Sequence, residues 1–84
     1  MNEPIKLPSV VDQLLALDIN ETLTRSVQVA PENLSAVKAN LRQNAAAPIS
    51  RAKQRSGYTY SCECSETITS SGRVYAIMII SRTS

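Results

Sequence analysis

The spacing of apolar positions changes three times along this 84-residue chain, and each change marks an element. After Ser9, the residues Val10, Val11, Leu14, Leu15 and Leu17 recur at helical spacing, and Ser9 with Asp12 makes a capping-box-like start using the shorter acid. A short helix is predicted over residues 9–17. Asp18-Ile19-Asn20 predicts a turn, because Asp and Asn bond their own backbone and tolerate turn dihedrals. From Thr22 to Val29 the period falls to two, with Leu23, Val27 and Val29 on one face and Thr22, Thr24, Ser26 and Gln28 on the other. That alternation predicts a strand. Residues 1–7 are polar and proline-bounded, and are expected to form a flexible arm ahead of a single domain over residues 8–84.

The period lengthens again at Pro31, a residue suited to the first turn of a helix because its missing N–H would have had no intrahelical partner there. Leu34, Val37, Leu41, Ala45, Ile49 and Ala52 follow three and four apart, so a helix is predicted over residues 31–56. Pro48 interrupts it chemically. It removes the bond to the Asn44 carbonyl, and either kinks one long helix or splits it near Ala46. Ser56-Gly57 ends the helix. Tyr58, Tyr60, Cys62, Cys64 and Ile68 then alternate with polar residues, Ser70-Ser71-Gly72 supplies a loop, and residues 73–82 return as a second strand. A three-residue loop sets Ile68 opposite Val74, Thr67 opposite Tyr75, Cys64 opposite Met78 and Cys62 opposite Ile80.

The last strand is apolar on both sides, Val74, Ala76, Met78 and Ile80 on one and Tyr75, Ile77 and Ile79 on the other. Such a strand is normally central and covered twice. Placing it between the first strand and its hairpin partner gives an α+β domain: a three-stranded antiparallel sheet with one long helix packed on it and a short N-terminal helix. The second face is covered either by the short helix or by another subunit. A homodimer or higher oligomer joined through Tyr75, Ile77 and Ile79 is favoured, since small domains with thin cores often recover stability this way.

Charge changes the picture of the long helix. Residues 1–35 carry two bases and five acids, whereas residues 36–84 carry seven bases and two acids. Lys38, Arg42, Arg51, Lys53 and Arg55 all fall between positions 38 and 55, where no acid occurs. At about 100° per residue they border the apolar stripe, Lys38, Arg42 and Lys53 on one side and Arg51 and Arg55 on the other. A solvated amphipathic helix usually mixes signs to gain i,i+4 pairs, and the absence of acids tips the balance toward a working surface. Arg25 shares parity with the apolar residues of the first strand, and lies at a sheet end, snorkels outward or faces a groove.

The chemistry is otherwise sparse. The chain has no histidine, so neither Cys62 nor any serine has an ordinary general base, and Gly57 and Gly72 are too isolated to form a phosphate loop. A non-enzyme without cofactor is expected. Cys62 and Cys64 lie one residue apart on a strand, near or beyond comfortable disulfide reach at about 6.5–7 Å, and two thiolates fall short of a structural zinc site. Core thiols in a reducing cytoplasm are the main expectation, with redox sensing or an intermolecular bridge as the alternative. The first residues lack the pattern of a signal peptide, and the longest apolar run, Val74 to Ile80, is too short to span a bilayer.

Nucleic-acid binding is therefore the leading expectation. The five cations named, flanked by Arg25, Arg73 and Arg82, would guide a phosphate backbone, and Tyr58 and Tyr60 would stack bases, although the tyrosines equally suit the core. Single-stranded DNA is favoured over duplex, because no helix-turn-helix or zinc-finger signature appears. The runs NLSAVKANLRQN (residues 33–44) and ISRAKQRSG (residues 49–57), with the closing serine-rich hairpin, resemble in layout small phage-encoded DNA-binding proteins used in viral transcription or replication. The resemblance implies an oligomeric single-stranded-DNA binder without an OB fold, acting in an infected bacterial cytoplasm, and it transfers no individual site residue. The alternative is a protein-interaction module, a small inhibitor or adaptor of a host protein that uses the apolar face of the last strand or the acidic N-terminal half.

Overall fold

The computed structural model describes residues 9–84, and the arm expected over residues 1–7 lies outside them. The elements in order are α1 (Val10–Leu15), β1 (Thr22–Val29), a 3-10 turn (Pro31–Asn33), α2 (Leu34–Ser56), β2 (Tyr60–Ile68) and β3 (Val74–Arg82). Helix α1 is shorter than the 9–17 expected. Ser9 is its cap and accepts from the Asp12 amide at 3.1 Å, while at the other end Ala16 closes the helix and the Leu17 amide bonds only to Leu14 O. Asn20, at φ 72°, takes the left-handed turn position that asparagine tolerates.

The sheet is antiparallel with β3 in the centre, order β1-β3-β2. Its register pairs Ile68 with Val74, Thr67 with Tyr75, Cys64 with Met78 and Cys62 with Ile80, as the three-residue loop requires. Gly72 makes that loop possible: it sits at φ 84° and donates to Thr69 O at 2.9 Å. On the other side of β3, Leu23 pairs with Ile80 and Val29 with Val74. The ladder continues past the strand ends, Asn20 and Arg82 bonding across β1 and β3, and Thr83 N donating to Thr59 O across the hairpin.

Helix α2 runs unbroken through Pro48 and closes at Gly57, at φ 76°, whose amide donates to Lys53 O at 2.8 Å. A proline in a helix interior costs roughly 3 kcal/mol, and the stripe on either side of it offsets that cost. Ala45 and Ala52 are buried, and Leu41 and Ile49 pack partly buried against the same core. The small alanines let the helix approach the sheet closely.

Both helices lie on one face of the sheet. The core joins Val11 and Leu14 of α1, Ala45 and Ala52 of α2, and Met78 and Ile80 of β3, with Leu23, Cys62 and Cys64 packed beside them. Every sheet residue in that set belongs to one parity of its strand. The shortest extent of the molecule, 21 Å, is that of one helix layer on one sheet layer. The short helix therefore does not cover the second face. Tyr75, Ile77 and Ile79 are only partly buried, at the centre of a sheet face on which neither described helix lies. No helix among the described residues is long and apolar enough to cross a membrane.

Candidate functional site

The residues expected to bind nucleic acid separate into two groups. In the first, the side chain already has an internal partner. Arg82 donates from Nη1 to Leu17 O at 3.0 Å and from Nε to Ser84 O at 2.9 Å, and its guanidinium sits 3.3 Å from the centroid of the Tyr58 ring. One cation thereby ties the C-terminal end of β3 to the segment after α1 and occupies a face of Tyr58. Tyr60 points its hydroxyl inward, donating to Leu14 O at 3.1 Å. Lys38 forms a 2.7 Å ion pair with Glu66 of β2, the one such pair among the described residues. These four residues, Lys38, Tyr58, Tyr60 and Arg82, have partners within the fold that tie its layers together.

The sequence carries signals for these contacts. Glu66 shares the strand face of Cys62 and Cys64, so it had to meet the underside of α2. Lys38 falls within about 20° of Ala45 on the helical wheel, inside the apolar stripe. The register also places Tyr60 beside Arg82 at the end of the hairpin.

The second group stays exposed. Arg42, Arg51, Lys53 and Arg55 project from α2, and no carboxylate among the described residues lies within ion-pair distance of them. Arg42 lies on the β2 side of the helix, lining a cleft of about 280 Å³ with Ser35, Lys38, Ala39 and Cys64. The opposite side of the helix faces α1 and β1, where Arg25 shares a cleft of about 100 Å³ with Val10, Leu41, Asn44 and Pro48. Arg25 thus faces a groove while remaining solvent-exposed. Arg73 is exposed at the far end of the sheet, its amide bonded to the Thr69 hydroxyl at 3.1 Å.

Between its two basic borders, the outward arc of α2 carries no acid. It is built of Asn40, Gln43, Ala46, Ala47, Ser50 and Gln54, all exposed. Small residues there permit close approach, and the amides supply neutral donors and acceptors. Lys53 and Arg55 also complement the negative end of the helix dipole, which favours cations in the last turn whatever else they do.

Under the helix, Cys62 and Cys64 are unbridged and half-buried. Burial raises the Cys62 thiol above its ordinary pKa, the neighbouring Cys64 raises it further, and Arg42 opposes the shift. Cys64 Sγ lies 3.6 Å from the Lys38 carbonyl. Among the described residues no cluster of three or more His, Cys, Asp or Glu side chains could hold a metal.

Fold and surface together define a two-layer α+β domain with a cationic helical layer and a sheet face that is polar at its flanks, apolar at its centre and charged only at Glu63. The chain belongs to the DUF7609 family, described as a domain of unknown function, whose family model matches residues 8–84. No curated protein and no solved structure matches it.

Proposed function

We propose that the protein is a nucleic-acid-binding module that works through the outward face of α2. The observation that carries this is the exposure of Arg42, Arg51, Lys53 and Arg55 along both borders of an acid-free helix. A side-chain-clad helix about 10–12 Å across matches the roughly 12 Å major groove of a B-form duplex. Cations on both borders would then meet phosphates on both strands, while Gln43, Gln54 and the small residues face base edges. With Arg82 over one face of Tyr58 and the Tyr60 hydroxyl bonded to Leu14 O, base stacking carries less of this reading than the helix does, and duplex is the better fit within the same class. Two unbridged thiols suit a reducing, cytoplasmic setting.

Fluorescence anisotropy with labelled duplex and single-stranded oligonucleotides across a salt series tests this. Four phosphate contacts give a slope of log K against log[salt] of roughly −3 to −4. Replacing Arg42 and Lys53 by glutamate should weaken duplex binding at least about tenfold and flatten the slope by about 2, with the circular dichroism spectrum unchanged. Absence of binding to either oligonucleotide at low salt removes the proposal. A second reading, a protein-interaction module, is favoured by the bare sheet face.

A further inference from the structure

We propose that the uncovered face of the sheet is a two-fold interface with a second copy of this chain. The face alternates with the core along all three strands. Its centre is Tyr75, Ile77 and Ile79, and its flanks are polar residues of β1 and β2 that pair with them, Thr24 and the carboxylate Glu63 with Ile79, and Ser26 and Ser65 with Ile77. Of the twelve side chains on it, only Glu63 is charged. A phosphate backbone finds no cation there, because the exposed bases belong to the helical layer, the hairpin end and the core side of β1. A strongly charged protein finds no counter-charge either. What such a surface complements is another neutral surface with an apolar centre and a hydroxylated rim, and the copy of itself is one.

The geometry permits this without rearrangement. Two sheets pack face to face about 10 Å apart with strands within about 30° of each other. A two-fold axis along β3 lays the three central side chains of one protomer on those of the next and sets each β2 over the neighbouring β1. Each Glu63 then meets a hydroxyl, Thr24 of the partner subunit, rather than its own copy. Three strands of eight or nine residues present a plane of about 30 by 14 Å, on the order of 400 Å² before side-chain relief is counted. Pairing two such faces buries on the order of 1,000 Å², at the lower end of specific interfaces. An interface of that size suits a dimer whose population depends on protein concentration. Its four layers run helix, sheet, sheet, helix, leaving both cationic helices on the outside.

Size exclusion with light scattering from about 1 µM to about 1 mM, with no nucleic acid present, tests the pairing apart from the helix reading. The mass should rise from the 9.1 kDa of one chain toward twice that value. Ile77→Thr keeps a β-branched residue but removes apolar surface, and Ser65→Lys adds charge at an exposed position that cannot disturb the core. Each should raise the dissociation constant at least about tenfold with an unchanged circular dichroism spectrum. A protein that stays monomeric throughout the range overturns the proposal. So does a dimer indifferent to both variants, which is joined elsewhere, and so does oligonucleotide binding lost in Ile77→Thr, which assigns the face to nucleic acid.

Discussion

The two sides of β3 share one strand and nearly one composition, yet they do different work. Val74, Ala76, Met78 and Ile80 are at most 8% exposed on the helix side, while Tyr75, Ile77 and Ile79 are only partly buried on the other side. Apolarity alone does not make a core. A side chain contributes to folding only where the same chain brings something to cover it, and both helices among the described residues are on one side. The charges divide along the same boundary, with the exposed cations of α2 on the layer away from the bare face. Folding, on this account, belongs to the covered side and association to the bare one.

Matched truncations break or sharpen that comparison most strongly. Ile80→Ala removes a side chain with 0% exposure, and should cost about 2–5 kcal/mol in urea unfolding of dilute protein. Ile77→Ala, three residues away, should cost less than Ile80→Ala under the same conditions, since a partly exposed side chain has less burial to forfeit. Equal losses would mean that the bare face is already packed within one chain. A smaller effect is expected at the seam between layers. Tyr60→Phe deletes the hydroxyl that donates to Leu14 O, and should cost about 1 kcal/mol. No loss would show that this contact is replaced by solvent.

The smallest effect is one of rate. Cys62, raised in pKa by burial beneath α2, should alkylate more slowly at pH 8 than a thiol placed on the bare face by Ser65→Cys. The sign for stability follows from the same shift. Because the folded state holds the Cys62 proton more tightly than the unfolded chain does, its contribution is complete below the ordinary thiol pKa and is lost as pH rises through the raised value. A Ser65→Cys thiol with the same reactivity as Cys62 would contradict the difference in cover.

Most of the fold was legible because period and turn chemistry agree. The β1 boundaries, the end of α2 at Gly57 and the whole hairpin register follow from alternation plus one three-residue loop. The apolar stripe on either side of Pro48 favoured one helix but left a split near Ala46 open, and the structure has one helix. The side of the sheet taken by α1 was not legible, because a six-residue helix reports its own apolar stripe and not the surface that stripe will find. Candidate binding residues were the least legible part. A cation is the same letter whether it meets solvent or a carboxylate, and only pairing across elements shows that Lys38 belongs to Glu66, or Arg82 to Tyr58 and Leu17 O. Arg42, Arg51, Lys53 and Arg55 remain as exposed cations because nothing in the described fold needs them.

Methyl NMR through a dilution series tests the division of labour within β3 most directly, since the isoleucine and methionine methyls of both faces are seen in one spectrum. The account predicts that Ile77 and Ile79 shift progressively with protein concentration while Met78 and Ile80 stay fixed. Methyls of Ile77 and Ile79 that hold still over the whole series, or shifts shared equally by Met78 and Ile80, would contradict it.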